Sequence, residues 1–273
     1  MTAVGFVAHP QRPAALSLAE QAMRRLRELG HDARTVDPAT GDADGLDLLV
    51  SLGGDGTMLR TFGAACPRDI PVLGVNFGHL GYLTVVEPDG LGSALDRWLV
   101  GDYKVEARMT IEVVVCEDDG AAPLLTRYAL NDVILQRGRG GHVVRVAMAV
   151  NDKPFVSYVA DSVIVATPTG STAYNLSARG PIVSPNARVQ IVTPVAPHSL
   201  FDRSLVLDPT EVVRLRPAPD TTAELVVDGG GCSTVKPGQY VSCAGGDHDA
   251  LFVTFADRDF QDILKRKFHL GRD

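Results

Sequence analysis

LDLLVSLGGDGTMLRTFGAA, residues 46–65, decides the fold. Leu46–Ser51 is a compact apolar run typical of a strand covered on both faces of a sheet. It runs into Gly53-Gly54-Asp55-Gly56, and from Thr57 to about Ala65 the pattern turns helical. The same alternation extends on either side. Val4–Ala8 is a short apolar run, after which Ala15, Leu18, Ala19, Ala22, Leu26 and Leu29 recur at helical spacing up to Gly30, a C′ residue. Pro71–Val75 predicts another buried strand and Leu91–Val100 another helix. Strands alternating with helices imply a parallel sheet with crossover helices. Ligands of such sheets sit at the carboxyl ends of the strands, where the loops 53–57 and 76–83 emerge.

From about Lys104 the style changes. Met109–Cys116, Tyr128–Gln136, Val143–Val150, Ser162–Thr167, Val189–Val192, Val212–Leu215, Leu225–Val227 and Tyr240–Cys243 are short, rich in valine and isoleucine, and separated by Gly, Asp, Asn and Pro. Such spacing predicts an all-β sandwich or a similar layered sheet. Gly170–Ser177 breaks the pattern as a short helix, with Ser171 placed to cap a start at Thr172. Asp259–Phe268 is helical again and is expected to pack back on the first domain. The resulting plan is an α/β domain over residues 1–103, a β-sandwich-like domain over 104–248, and a C-terminal segment, 249–273.

Hydrophobic residues make up 45% of the chain and charged residues 22%, an ordinary soluble composition with enough apolar surface for a core. A net charge of −7 argues against nucleic-acid binding and anionic membranes, both of which need clustered positive charge. Any phosphorylated ligand must therefore be held by backbone amides and a few basic side chains. The four cysteines, Cys66, Cys116, Cys232 and Cys243, show no CxxC spacing and suggest reduced thiols without zinc. The start, MTAVGFVAHPQRP, has neither a basic n-region nor a long apolar run, so a cytoplasmic location is expected.

Four blocks carry chemistry. In Gly53-Gly54-Asp55-Gly56-Thr57, three glycines in four residues permit positive φ and close approach of a ligand. With the helix start behind them they form an anion site suited to phosphate. Asp55 puts a carboxylate there, which suits a general base taking a proton from an attacking hydroxyl. Alone, the block also fits a tight turn, and it matches neither the P-loop nor GxGxxG. In Asn76-Phe77-Gly78-His79-Leu80-Gly81-Tyr82-Leu83, two glycines three apart allow a loop that lays Tyr82 across a ligand, or one under which Tyr82 packs. Asn131-Asp132 stands as a polar pair inside an apolar strand, Tyr128–Leu135. Thr167-Pro168-Thr169-Gly170-Ser171-Thr172-Ala173-Tyr174-Asn175-Leu176-Ser177 exposes free amides and hydroxyls in a small space, with Tyr174 available to stack on a ring.

In order and spacing, these blocks resemble the NAD kinase family over nearly the whole chain, as do Pro197-His198-Ser199-Leu200, Arg203 and Val227-Asp228-Gly229. GGDGT is shared with lipid kinases and loosely with phosphofructokinases; TPTGSTAY is far more specific. The resemblance implies transfer of the terminal phosphoryl group of ATP or polyphosphate to the 2′-hydroxyl of the adenosine ribose of NAD, giving NADP. Asp55 would accept the hydroxyl proton, with Gly54 and Gly56 beside the dinucleotide and Arg60 facing the phosphates. Tyr82 would lie near the adenine, and Asn131 and Asp132 would hold the adenosine half. His142 and Asp161 would contact ligand, and Thr172, Ala173, Tyr174 and Ser177 would line the pocket. Mg²⁺ would accompany the triphosphate. A homodimer or homotetramer, with sites built partly from a neighbouring subunit, is implied as well.

Several positions depart from the family pattern. Ser162 follows Asp161 where Gly is usual, Arg179 occupies a glycine position, Val159 replaces a basic or polar contact, and Gly230 stands where Gln often follows Asp-Gly. Asp132 is one methylene shorter than the commoner Glu. These put substrate affinity and the preference between NAD and NADH in question more than the reaction. Two alternatives stay open: a non-catalytic dinucleotide-binding regulator derived from the family, and a GGDGT-type lipid kinase.

Overall fold

The structure is a computed structural model; residues 1–78, 82–117, 122–138, 143–255 and 260–270 are described, without the side chains of Cys232 and Arg266. The chain forms two compact units, one of Met1–Ala107 with the chain from Ala250 onward, the other of Arg108–Asp249.

The first unit opens with β1 (Ala3–Ala8), α1 (Pro13–Glu28), β2 (Asp32–Thr35), β3 (Leu48–Gly53), α2 (Asp55–Ala65), β4 (Val72–Asn76), α3 (Leu91–Leu99) and β5 (Lys104–Arg108). β1 pairs in parallel with both β2 and β3, and β3 in parallel with β4. The sheet therefore reverses its strand order between β1 and β3, and the loop after β3 opens at that switch point. Pro13 starts α1, where its fixed φ costs nothing, and Gly30 in the left-handed region (φ 82) follows its end. The buried stripe of α1 is Ala15, Ala19, Ala22, Met23 and Leu26. Each of the two larger side chains contributes about 1.5–3 kcal/mol by leaving water. β2 has the sequence DART, too short and too polar to stand out as a strand, and joins the sheet through its backbone.

The second unit is all-β apart from the turn after residue 167. One antiparallel sheet contains β6 (Ile111–Cys116), β7 (Leu125–Ala129), β9 (Val144–Val150), β10 (Lys153–Ala160), β14 (Val213–Pro217) and β17 (Tyr240–Gly245), in the order β10-β9-β14-β17-β6-β7. The other contains β8 (Asp132–Arg137), β11 (Ser162–Ala166), β12 (Gln190–Val195), β13 (Leu205–Leu207), β15 (Ala223–Val227) and β16 (Gly230–Val235), in the order β13-β12-β11-β8-β15-β16. Alternate residues of the two sheets meet in one core: Ile111, Val113, Val146, Val213 and Val241 from the first, Val133, Leu135, Val163, Val165 and Leu225 from the second. The expected single strand over 128–136 is two strands. β7 ends at Ala129 in one sheet, and β8 begins at Asp132 in the other. Asn131 thus marks a crossing between sheets and Asp132 is the first residue of β8, so the polar pair stands at a strand start and not in mid-strand.

The chain then returns to the first unit. β18 (Ala250–Thr254) lies between β4 and β5, parallel to β4, and α5 (Phe260–Phe268) follows. The change of sequence style at Lys104 falls on β5, which closes the edge of the first sheet.

Candidate active site

In the first unit, β3 and β4 run side by side to their carboxyl ends, where Gly53 pairs with Asn76. Phe77 N–H donates to the Gly53 carbonyl at 2.9 Å, so the two loops leave the sheet together. Gly53 is required because a Cβ there would run into the Thr57 side chain. Positive φ is not the reason for this glycine cluster: Gly54, the N-cap of α2, has φ −98, and Gly53, Gly54 and Gly56 are all outside the left-handed set. Above Gly54 and Gly56 there is open space, with nothing within 4 Å of a built Cβ. The Gly54 carbonyl accepts from Thr57 and Met58 N–H, so the amides of Asp55 and Gly56 ahead of them have no acceptor within the helix.

Asp55 is the first residue of α2 and half-buried. Its Oδ2 accepts from Tyr82 N–H and its Oδ1 from Leu83 N–H, both at 3.1 Å. The carboxylate is thereby aimed, while each oxygen keeps a lone pair for a further donor. Arg60 is exposed one turn on, its Nη2 3.4 Å from Thr57 Oγ1. The Tyr82 ring is 5% exposed and lies in the packing of the C-terminal helix, edge-to-face with Phe260 at 6.4 Å and with Lys267 Nζ 4.9 Å from its centroid. What Tyr82 brings to Asp55 is its backbone N–H rather than its ring. His79, Leu80 and Gly81 lie outside the described residues.

In the second unit a different set converges. Thr167, just past β11, donates its N–H to the Asn131 carbonyl at 2.9 Å and its hydroxyl to the Leu130 carbonyl at 2.5 Å. Gly170 is packed so tightly on the Asn131 backbone that a Cβ would collide with its carbonyl. The turn is a 3₁₀ segment, Thr169–Thr172, followed by a single α-turn, α4 (Tyr174–Ser177). Ser171 does not cap it as expected; its hydroxyl donates to the Pro168 carbonyl at 2.6 Å and accepts Val183 N–H at 3.0 Å, tying the turn to the following segment. Thr172 is buried, Ala173 half-buried, and Tyr174 and Ser177 are exposed, with Tyr174 at 40%.

Asp132 is 4% exposed. Burial, with the charge of nearby Asp228, pushes its carboxyl up to about 7, against a backbone N–H donated by Tyr174 that favours the charged form. Asp228 comes from the β15–β16 hairpin, whose two-residue turn Asp228-Gly229 has positive φ at both positions (51 and 67), as a type I′ turn demands. Its carboxylate accepts from three consecutive amides, Leu130 at 2.8 Å, Asn131 at 2.7 Å and Asp132 at 3.1 Å. Burial still raises it, to about 6. Asp228 was legible in sequence only as part of a family block; the Asp-Gly pair after an apolar strand is the hairpin signal that announces its turn.

Asp161 is not brought to this cluster. It precedes β11, whereas Thr167 follows it, and six residue steps along the strand separate the two by about 20 Å. Its carboxylate lies 3.6 Å from Arg137 Nη1. His142 lies outside the described residues. Of the departing residues, Val159 accepts His198 N–H through its carbonyl at 2.7 Å. Ser162 is buried at the start of β11, with no hydrogen-bond partner for its hydroxyl among the described residues. Arg179 holds φ 65, which explains the glycine usual there. Gly230 begins β16.

An α/β unit with an acid in its phosphate-type loop, and a sandwich whose strand break carries a buried acid beside a hydroxyl-rich turn, define the class: a phosphotransferase acting on a nucleotide. The family model described as ATP-NAD kinase N-terminal domain matches residues 34–103, and that of the ATP-NAD kinase C-terminal domain matches 130–255. The chain belongs to the NAD kinase family and is an enzyme of that kind, which removes the lipid-kinase alternative. The NAD kinase of Heliobacterium modesticaldum is 38% identical over 296 residues, covering 100% of each chain. That of Symbiobacterium thermophilum is 36% identical over 285 residues, covering 98% of this chain and 99% of its own. Two solved structures share the fold. The yeast NADH kinase complexed with NADH has TM-score 0.88 at 22% identity, over 100% of this chain and 89% of that one. The NAD kinase from Archaeoglobus fulgidus in complex with ATP has TM-score 0.79 at 23% identity, over 98% and 100%.

Proposed function

We propose that this NAD kinase moves the terminal phosphoryl group of ATP, or of polyphosphate, to the 2′-hydroxyl of the adenosine ribose of NAD, with Asp55 as the proton acceptor. The observation that carries this reading is the Asp55 carboxylate, held by two amides with lone pairs to spare, beside open space at a helix start. Phosphoryl transfer depends on placement and charge neutralisation more than on covalent chemistry. The free amides of Asp55 and Gly56 and the Arg60 guanidinium supply these on the phosphate side. Asn131 and Asp132 take ribose hydroxyls of the adenosine half, and the exposed Tyr174 ring stacks on the ligand between Thr172, Ala173 and Ser177. His142 is assigned a ligand contact as well.

Among the described residues no three His, Cys, Asp or Glu side chains cluster as a metal cage. A single carboxylate at the loop fits Mg²⁺ held mainly by substrate phosphates, as that ion is commonly bound. When bound, it neutralises phosphate charge. Asp161 is assigned a ligand contact as well, and a homodimer or homotetramer is proposed on the family resemblance. A cytoplasmic location is part of the proposal; separately, no helix among the described residues is long and apolar enough to cross a membrane.

The test is to incubate the purified protein with Mg²⁺-ATP or Mg²⁺-polyphosphate and NAD, following NADP with an NADP-specific dehydrogenase. NADP formation supports the reading and identifies the donor. NAD binding without NADP formation overturns it and leaves a dinucleotide-binding regulator, as the changes at Val159, Ser162, Arg179 and Gly230 would suggest.

A further inference from the structure

Asp228 is the only carboxylate among the described residues that accepts three backbone amides in succession, and those amides belong to Leu130, Asn131 and Asp132. At this point the chain leaves one sheet for the other, and the ladder resumes only at Asp132, which pairs with Ala166. Asp228 N–H returns a bond to the Asp132 carbonyl at 2.9 Å, closing a reciprocal clasp between the β15–β16 turn and the start of β8. From the other side Thr167 takes the carbonyls of Leu130 and Asn131. Amides are thus held by Asp228 and carbonyls by Thr167, and the side chains of Asn131 and Asp132 project from a backbone fixed on both sides.

We infer that Asp228 is a positioning residue, which sets the placement of Asn131 and Asp132 for NAD through the three amides it holds. The inference rests on the reading of Asn131-Asp132 as the dinucleotide-binding pair. The chemistry is specific to a carboxylate. An amide side chain of the same shape has one acceptor oxygen, and its NH₂ would face an N–H, leaving donors unpaired. Because Asp228 lies behind the backbone, its loss acts on binding of NAD and not on the proton transfer at Asp55.

Kinetics with NAD as the varied substrate test this. Asp228→Asn is expected to raise the KM for NAD about tenfold while kcat stays within about threefold, the split of a lost ground-state placement. Asp228→Glu, which keeps the charge one methylene away, is expected to raise it about threefold and serves if the Asn variant fails to fold. Gly238→Ala, at a turn with φ 91 elsewhere in this unit, is the control for lost stability alone and is expected to leave KM unchanged. A wild-type KM in folded Asp228→Asn or Asp228→Glu overturns the inference, as does an equal rise in the Gly238→Ala control. If the wild-type protein binds NAD but makes no NADP, the kinase reading falls separately. The inference is then decided by calorimetry with NAD alone: a tenfold weaker Kd in Asp228→Asn supports it, and an unchanged Kd overturns it.

Discussion

Gly170 lies against the Asn131 carbonyl so closely that no side chain can be built on it. This joins the hydroxyl-rich turn to the strand break through backbone alone. Gly170→Ala must push the two apart, and overpacking against backbone that cannot yield costs about 3 kcal/mol or more. The expected result is a denaturant midpoint well below wild type, with weakened NAD binding in whatever fraction folds. Wild-type stability in the variant would contradict the contact.

Asp55→Asn keeps one acceptor for the Tyr82 and Leu83 amides but loses the basic oxygen. Turnover is expected to fall by about 10²–10⁴, the usual worth of a general base. Stability should fall by only about 1 kcal/mol, one hydrogen bond. Initial rates and NAD titration on the same preparation check both, and normal turnover would remove Asp55 from the role of base.

The Asp132–Asp228 pair makes stability depend on pH in the reverse of the usual carboxylate sense. In the unfolded chain these groups ionise near about 4, whereas burial and mutual repulsion hold folded Asp132 protonated up to about 7. The contribution is fully present below the unfolded value and is lost as pH rises through the folded one. Asp132→Asn should therefore stabilise the protein at pH 8 relative to wild type, by about 1–3 kcal/mol, and much less at pH 4. Urea midpoints at the two pH values decide it; an equal difference at both would be inconsistent with a raised Asp132.

Arg179 and Ser162 pay for their departures from glycine in stability. Arg179 sits at φ 65, where a side chain costs about 1 kcal/mol and glycine nothing. Arg179→Gly is expected to raise the thermal midpoint by a few degrees. Ser162→Ala removes a buried hydroxyl that lacks a partner among the described residues and should stabilise by about 1 kcal/mol. Calorimetric scans of both variants check these values, and a lowered midpoint in either counts against its explanation.

Much was determined by local sequence. The apolar run 46–51, the glycine cluster after it and the helical period to Ala65 announce β3, its loop and α2, because burial on two faces and close backbone approach impose those residue types. The valine-rich segments announce the sandwich for the same reason. Where the pattern failed, the cause lies between segments distant in sequence. Tyr128–Gln136 reads as one strand because apolar residues dominate it, and only the packing of two sheets splits it at Asn131. The sequence leaves Tyr82 between a ring laid on a ligand and one packed under its loop, and α5, from the far end of the chain, takes the ring into its packing. Asp228 stands out in the sequence only as part of a family block, and what its carboxylate holds is set by β15 lying beside β8. Periodicity reports which face of an element is buried, and it carries no record of which other element does the burying. That pairing places three amides on one carboxylate, and tertiary structure alone decided it.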